Sequence, residues 1–310
     1  MSIDIVKKHK WFHAIDFGEY ASSGRFPQGK PQNITLYGVF EFLNAMNLFE
    51  ANVLDLGSYD GIVAFGTHRL GAKSVTAADT FDHSSFRDAR KILGYESSVD
   101  YVPKTQVKDL PNTFSSKQFD LIVCAGIFYH MLHPMQAFTD CRKILGDGGI
   151  LILETPYDSS REDAVLVFNG VEHIVNEPFT YFVPSLTALT GMANLAGYKV
   201  LSKRILMAPR RVTLLLKAAS RDELVEDETV ASFTKQMLKR DTCDDSYRFK
   251  DIEKTVRNSP DMFSKIKKIE KYREIISATE NAKFPHHPPL EKPSYGVTRF
   301  ENADGNTKIL

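Results

Sequence analysis

The chain has 310 residues, of which 43% are hydrophobic and 25% are charged, as in a soluble globular protein of about two domains. Lys plus Arg and Asp plus Glu each number 39. The balance holds for residues 1–218 and for residues 219–310, so an extended basic surface for nucleic acid is disfavoured. Three cysteines without paired spacing argue against a disulfide framework and a zinc ribbon. With no signal-peptide or membrane-length apolar segment, we expect a cytoplasmic protein with no membrane partner and no metal.

Residues 1–50 precede the regular part of the chain and are partly aromatic, then rich in Gly, Pro and Gln. A helical pattern follows over residues 37–48. We expect this stretch to be a capping segment that packs over the edge of a sheet, rather than a domain of its own.

From residue 51 to residue 217, short β-type runs alternate with longer helical ones, which predicts an α/β fold with a parallel sheet and helices on its faces. The strands predicted to be parallel are residues 52–56, 74–79, 100–103, 119–125 and 150–154. Two later runs, residues 198–205 and 211–217, lie too close together for a crossover helix. They predict an antiparallel pair with Pro209 in the turn.

The C-terminal part is predicted to be a helical appendage over residues 219–282, followed by an extended tail over residues 283–310. The appendage is predicted from two amphipathic patterns, at residues 223–240 and 261–279. Two interpretations stay open for it: a docked appendage, or the contact surface of a homo-oligomer. His286 and His287 in the tail are weak evidence for a metal site.

The strongest chemical signal is the segment VLDLGSYDG, in which a strand ends in a glycine-containing turn that opens a helix. A dinucleotide fingerprint would require glycine two and five positions after Gly57, and this chain has Tyr59 and Ile62 there. The turn therefore favours a cofactor without phosphates. Asp79 closes the next strand, where a carboxylate can accept hydrogen bonds from both hydroxyls of a ribose.

The D-x-G-x-x-x-G turn, the acidic end of the second strand and the segments FDLIVCAGIFYH and LGDGGILILET resemble the class I S-adenosylmethionine (SAM) dependent methyltransferases. The resemblance implies a doubly wound, mostly parallel, seven-stranded Rossmann-like sheet with an antiparallel last strand, in a SAM-binding domain over residues 51–218. It implies that the methionine part of SAM lies at the glycine turn, its ribose at the second strand and its adenine near residues 106–108. The cofactor-binding residues implied in this way are Asp55, Gly57, Tyr59, Gly61, Asp79, Val107 and Ala125.

A narrower resemblance over residues 10–217 is to the tRNA wobble-uridine carboxymethyltransferases, which use carboxy-SAM. It rests on the segments WFHAID, TLYGV, GIFYH, TYFVPS and APRRVTLLLK. Tyr129 and Arg211 fall on positions where that family binds the extra carboxylate.

The chain departs from that family at three other positions. Pro31 stands where the family has a carboxylate-binding lysine, with Lys30 one residue away, and Ala45 and Glu50 replace a tryptophan and a second lysine. Since an acid in place of a base repels a carboxylate, we expect plain SAM as the cofactor.

Residues of the acceptor site are predicted where the fourth strand ends, at the edge where open α/β sheets bind ligands. Tyr129 is expected to line the cofactor pocket, and His130 either takes a proton from the acceptor or hydrogen-bonds a loop. Arg211 binds a carboxylate of the acceptor or of SAM, or pairs with a nearby acid. His13, Tyr37 and Tyr181 are predicted to line the substrate pocket.

These patterns predict a SAM-dependent methyltransferase that acts on a small, carboxylate-bearing metabolite by in-line transfer. Three alternatives stay open. The first is a tRNA-modifying (carboxy)methyltransferase, and the second is an intramolecular SAM cyclase of the azetidine-2-carboxylate synthase type. The third is a degenerate fold that acts as a binding module.

Overall fold

A computed structural model of the chain describes residues 3–26, 32–169, 175, 179–206, 210–219, 267–268, 299–301 and 307–309. The helices are α1 (Ile3–Lys8), α2 (Tyr37–Asn44), α3 (Ile62–Arg69), α4 (Ser84–Ile92), α5 (Leu110–Thr113), α6 (Met135–Ile144) and α7 (Leu186–Leu195). The strands are β1 (Met46–Asn47), β2 (Asn52–Leu56), β3 (Ser74–Asp79), β4 (Val99–Pro103), β5 (Phe119–Ala125), β6 (Leu145–Pro156), β7 (Leu166–Phe168), β8 (Phe182–Pro184), β9 (Tyr198–Leu206), β10 (Arg211–Ala218), β11 (Lys267–Lys268), β12 (Arg299–Glu301) and β13 (Thr307–Ile309).

The fold is mixed α/β, and seven strands belong to one mostly parallel sheet. The chain divides into two compact units, residues 1–106 with 266–310, and residues 107–265. The predicted α/β class and the antiparallel strand pair at the end of the sheet are confirmed.

In the first unit, β3 lies between β2 and β4 and is parallel to both. β2 and β3 are buried along nearly their whole length, as parallel strands with both faces covered should be. Because parallel strands end at the same edge, the residues after Leu56 lie beside Asp79. This edge is the one that the glycine turn was predicted to occupy.

In the second unit, β5 pairs in parallel with β6, and β10 pairs antiparallel with both β6 and β9. β10 therefore lies between two strands, and its leucines are fully buried. The turn predicted at Pro209 lies outside the described residues. A further hairpin of β7 and β8 was not predicted, because its strands are three residues long and lack a period-2 pattern.

The predicted helix over residues 261–279 is wrong at the two positions that the structure describes within it. Lys267 and Lys268 form β11, which pairs antiparallel with β1. The predicted helix over 37–48 likewise ends at Asn44, because Met46 and Asn47 are extended in this pair. Backbone hydrogen bonding between segments distant in the chain overrides the local apolar period here.

The helix predicted over residues 223–240 and the pair His286 and His287 lie outside the described residues. Within the predicted extended tail, β12 and β13 pair antiparallel. Over the described parts of the chain, we find no helix with the length and apolar character of a membrane span.

Candidate functional site

The turn between β2 and α3 has a backbone that requires its glycines. Gly57 and Gly61 have φ of 76° and 91°, values that side chains rarely allow. A Cβ atom on Gly61 would lie 2.5 Å from the Phe65 ring and 2.8 Å from that of Phe86. The Gly57 N–H donates to the carbonyl of Ala78 at 2.8 Å, which ties the turn to the end of β3. The turn is therefore fixed in shape, and Tyr59 within it also has a positive φ, 46°.

Asp55 is buried beneath this turn and stabilises it through a hydrogen bond. Its Oδ2 accepts a hydrogen bond from the Ala64 N–H at 3.0 Å, so the carboxylate satisfies a free donor in the first turn of α3. Burial raises the pKa of Asp55 to about 7; the Ala64 hydrogen bond opposes this and the nearby charge of Asp79 adds to it. The structure thus gives Asp55 a positioning contact, and its predicted contact with the methionine part of SAM stays a prediction.

The raised pKa of Asp55 predicts a pH-dependent stability. Its pKa is 3.8 when unfolded and about 7 when folded, so between these values only the folded state holds the proton, and stability falls as pH rises. His13 acts in the opposite sense, since burial lowers its pKa from 6.5 to about 4. The His13 effect is the same in the wild type and in Asp55→Asn, so the difference between the two isolates Asp55. The free energy of unfolding of Asp55→Asn should rise relative to that of the wild type as pH rises from about 4 to about 7. Urea unfolding of both proteins across this pH range measures the difference in their unfolding free energies. A difference that stays constant with pH would contradict the shifted pKa.

Asp79 is an ionised acceptor whose oxygens are held in place. Oδ2 accepts from the Tyr59 N–H at 2.9 Å, and Oδ1 accepts from the Phe81 N–H at 2.9 Å and lies 3.2 Å from His83 Nε2. Burial alone would raise the pKa of Asp79, but these three contacts lower it below its usual value. The hydrogen bond to Asp79 in turn raises the pKa of His83. A carboxylate fixed at this edge of the sheet suits the two hydroxyls of a ribose.

Asp60 joins the N-terminal segment to the glycine turn, a role that the sequence analysis missed. Its Oδ2 accepts from the N–H groups of Phe12 and His13, at 2.6 and 3.1 Å, and its Oδ1 accepts from the Ser85 hydroxyl at 2.6 Å. The Phe12 and Tyr59 rings lie 5.0 Å apart. The only sequence signal was an acidic residue inside the turn, and its partners are remote in the chain.

Two buried polar atoms next to the turn have no hydrogen-bond partner among the described residues: Nδ1 of His13 and the hydroxyl of Ser58. Burial holds His13 neutral, its pKa being lowered to about 4 although Asp60 opposes the shift. Buried polar atoms normally have partners, so a polar ligand at the turn would supply what they lack. These two atoms, together with the Asp79 carboxylate, fit a nucleoside cofactor with a polar chain. Tyr37, also predicted here, is buried at the start of α2, and burial raises the pKa of its hydroxyl.

In the second unit, Arg211 is paired with an acid from within the chain. Its Nε and Nη2 donate to the two carboxylate oxygens of Glu154 at 2.6 and 2.9 Å, and both residues are buried. In the register of β6 and β10, Arg211 is opposite Pro156 and Thr213 is opposite Glu154, so Arg211 and Glu154 lie on one face of the sheet. The guanidinium also lies 4.9 Å from the centre of the Tyr129 ring. Of the alternatives for Arg211, pairing with a nearby acid is the one observed, and the pair is buried rather than at the surface.

Tyr129 and His130 lie in a single turn of 3-10 helix after β5. Tyr129 is buried, and its carbonyl accepts from the Tyr181 N–H at 2.8 Å. His130 Nδ1 lies 2.9 Å from the carbonyl oxygen of Phe179. The predicted residues Tyr129, His130, Tyr181 and Arg211 are therefore brought together within the second unit.

Three remaining positions show no specific contact that assigns a role. Val107 begins a short 3-10 turn and Ala125 ends β5, both half-buried. Glu50, one of the departures from the tRNA-modifying family, is exposed beside Lys73, 3.5 Å away. In the part of the chain that the structure describes, no three His, Cys, Asp or Glu side chains are grouped so that they could hold a metal ion.

Comparison with known proteins gives a family match and a set of more distant relatives. The methyltransferase domain family matches residues 39–203. The tRNA U34 carboxymethyltransferase of Campylobacter jejuni subsp. doylei is 31% identical over 125 residues, which are 35% of this chain and 42% of that protein. The enzyme of the same name from Cellvibrio japonicus is 30% identical over 149 residues, 47% of this chain and 45% of that protein. The match thus spans less than half the length of these relatives.

Among solved structures, the N-terminal domain of EvdMO1, determined in the presence of S-adenosylhomocysteine and D-fucose, is similar with a TM-score of 0.50. It is 17% identical in sequence, and the match covers 70% of this chain and 95% of that one. At this identity the likeness concerns the fold alone, and it confirms the predicted α/β architecture.

Proposed function

Because the chain belongs to the methyltransferase domain family, we propose that it transfers a methyl group from S-adenosylmethionine to a small acceptor. The observation that supports this most directly is the ionised Asp79 carboxylate, held by Tyr59, Phe81 and His83 at the end of β3. The domain match and the solved structure with S-adenosylhomocysteine support the same cofactor.

When bound, the cofactor supplies an electrophilic methyl group on a positively charged sulfur. In the proposal, Asp79 binds the ribose hydroxyls, and the rigid turn from Gly57 to Gly61 holds the methionine part with the help of Ser58 and His13. Correct alignment of the reacting atoms then provides much of the acceleration. His130 accepts a proton where the acceptor keeps one at neutral pH.

The pairing of Arg211 with Glu154 bears on the acceptor that we propose. A guanidinium binds a carboxylate best through two parallel N–H donors, and those donors of Arg211 already bind Glu154. A carboxylate on the acceptor, or the extra carboxylate of carboxy-SAM, would have to compete with this buried partner. The proposal therefore keeps plain SAM and a small acceptor, and it no longer uses Arg211 to recognise an acid.

The first test is binding and turnover of SAM itself. We expect calorimetry to show that the wild type binds SAM and S-adenosylhomocysteine. We also expect that incubation with SAM alone releases no methylthioadenosine, since a transferase without its acceptor does not consume the cofactor. Steady formation of methylthioadenosine would establish the cyclase instead, and an absence of SAM binding would remove the proposed function.

The tRNA-modifying alternative is favoured by one observation, the likeness to the two tRNA U34 carboxymethyltransferases. Against it, the charges of the whole chain cancel, whereas phosphate contacts usually draw on clustered Lys and Arg. An electrophoretic mobility shift with bulk tRNA, repeated at rising salt, separates the two. Tight, salt-sensitive binding of tRNA would support the alternative.

A further inference from the structure

The Asp79 carboxylate already uses most of its capacity to accept hydrogen bonds. An ionised carboxylate accepts at about four positions on its two oxygens and donates at none. Oδ1 of Asp79 accepts from the Phe81 N–H and faces Nε2 of His83, while Oδ2 accepts from the Tyr59 N–H. Among the described residues, these contacts use both positions on Oδ1 and one on Oδ2. All four residues belong to the first unit.

His83 donates a hydrogen bond to Asp79 through its side chain. Its Nε2 lies 3.2 Å from Oδ1, and since the carboxylate only accepts, Nε2 bears the hydrogen. Both the neutral ring and the imidazolium meet this requirement, and the bond is stronger when the ring is charged. The other two donors to Asp79 are backbone N–H groups. Of the three, only His83 can therefore leave the carboxylate by rotation of its side chain.

The contacts of the His83 ring hold it beside Asp79 without enclosing it. The Tyr59 ring lies 4.5 Å away, with 32° between the two planes, and an imidazolium is attracted to such an aromatic face. The backbone N–H of His83 donates to the Tyr101 hydroxyl at 2.9 Å. The His83 side chain is 19% exposed. Solvent thus reaches the ring, and a change of rotamer does not require the core to open.

The charges around His83 favour its protonated form. The hydrogen bond with Asp79 contributes most to the raised pKa of His83; burial opposes the increase, and the charges of Asp79, Asp60 and Asp82 add to it. These acids lie at the end of β3, in the glycine turn and in the loop before α4. The other titratable groups nearby are Tyr59 and Tyr101, whose raised pKa values keep them neutral, and Arg87 of α4, which pairs with Asp82.

We propose that His83 sets the affinity of this site for ribose, because it occupies on Asp79 Oδ1 the acceptor position that a second ribose hydroxyl needs. The inference rests on the proposed function, in which Asp79 binds the ribose, and it names the group that regulates this contact. One hydroxyl donates to the position that remains on Oδ2. The other donates to Oδ1 in place of His83 Nε2, and the imidazole ring turns towards solvent.

This competition makes cofactor binding depend on pH. Protonated His83 holds Asp79 as an ion pair, so the ribose displaces it less readily than it displaces the neutral ring. Displacement also removes the contact that raises the pKa of His83 most, so this pKa falls when the ribose binds. The affinity for the cofactor therefore increases as pH rises through the pKa of His83 in the free protein.

Calorimetry with S-adenosylhomocysteine measures the competition. His83→Phe keeps a ring against Tyr59 and removes the donor to Asp79. At about pH 6 the variant should bind about tenfold more tightly than the wild type, because no hydrogen bond to a charged group has to be broken. At about pH 8.5 the gain should be smaller. Equal or weaker binding by His83→Phe at both pH values would contradict the proposal.

His9→Gln is the matched control for this comparison. His9 also pairs with an aspartate of the first unit, since its Nε2 lies 2.6 Å from Oδ2 of Asp88, but it does not contact Asp79. The control should bind S-adenosylhomocysteine as the wild type does at both pH values. A tenfold gain in His9→Gln as well would show that the effect is not specific to His83.

A ligand with one hydroxyl distinguishes competition from simple burial of a charged ring. A nucleoside that only covers His83 would also bind the variant better at low pH, whichever hydroxyls it has. With 2′-deoxy-S-adenosylhomocysteine, the position that remains on Oδ2 is sufficient, so His83 can stay on Oδ1. The gain of His83→Phe over the wild type should then largely disappear. The same tenfold gain with both ligands would overturn the proposal.

NMR of the wild type follows His83 without any substitution. Its ring should titrate at lower pH when S-adenosylhomocysteine is bound, and should change less with the 2′-deoxy ligand. A titration that stays in place or moves to higher pH would contradict displacement. If S-adenosylhomocysteine binds with equal affinity to the wild type and His83→Phe, only the role of His83 is wrong. If neither protein binds S-adenosylhomocysteine or SAM, the proposed function fails as well.

Discussion

Replacing Arg211 by Met is expected to lower the free energy of unfolding by about 3–5 kcal/mol, because it leaves the Glu154 carboxylate buried without its partner. Burial by itself would lower the pKa of Arg211, but the charge and hydrogen bonds of Glu154 hold it above its usual range. Arg211 therefore keeps its charge beside Glu154, and removing either member leaves the other buried without its partner. Urea unfolding of the purified variant measures the loss.

A double variant distinguishes the effect of losing the ion pair from the effect of changing the side-chain shapes. Arg211→Met with Glu154→Gln removes both charges and keeps similar volumes, so most of the lost stability should return. Arg161→Ala is the matched control, since Arg161 also binds a carboxylate through two nitrogens, that of Asp163, but at the exposed surface. It should change stability little. An unfolding free energy for Arg211→Met equal to that of the control would show that Arg211 does not depend on Glu154.

This expectation replaces a purely functional one for Arg211. If Arg211 bound an acidic acceptor, its replacement would impair turnover and leave the protein as stable as before. The pairing with Glu154 instead predicts an effect on stability without any ligand, and the two outcomes are distinguished by unfolding the free protein.

Replacing Asp79 by Ala is expected to weaken SAM binding by about 1–3 kcal/mol through loss of the hydrogen bonds to the ribose. The change also removes the acceptor of the Tyr59 and Phe81 N–H groups, so part of the effect is a less ordered turn. Isothermal titration with SAM measures the affinity. Asp82→Ala is the control, because Asp82 follows closely in the same loop and pairs with Arg87 at the surface.

Asp79→Asn distinguishes the two causes of weaker SAM binding, namely the loss of the ribose contact and the loss of order in the turn. The amide oxygen still accepts from one of the two N–H groups, and the side chain keeps its size. The variant should remain folded and bind SAM more weakly. Because His83 owes its raised pKa first to its hydrogen bond with Asp79, its NMR titration should move to lower pH in the same variant. Unchanged SAM affinity in both Asp79 variants would contradict the assignment of Asp79 to the cofactor.

Much of the fold could be predicted because its signals are local. The boundaries of β2, β3 and β5 coincide with the predicted strands, since buried parallel strands are continuous apolar runs that end in turn residues. The helix predicted over 261–279 failed at Lys267 and Lys268, because their pairing with Met46 and Asn47 depends on residues more than 200 positions away.

The sequence by itself determined the glycine turn and its acids. Gly57 and Gly61 are required by the left-handed backbone, and Asp55 and Asp79 follow from strand ends that parallel pairing brings to one edge. Only the tertiary structure decided what the remaining groups do. The register of β6 and β10 gives Arg211 its partner 57 positions away, and His130 Nδ1 lies 2.9 Å from the carbonyl oxygen of Phe179, 49 positions away. These contacts join side chains on strands and loops that are far apart in the chain. The sequence alone does not give the distances between such residues.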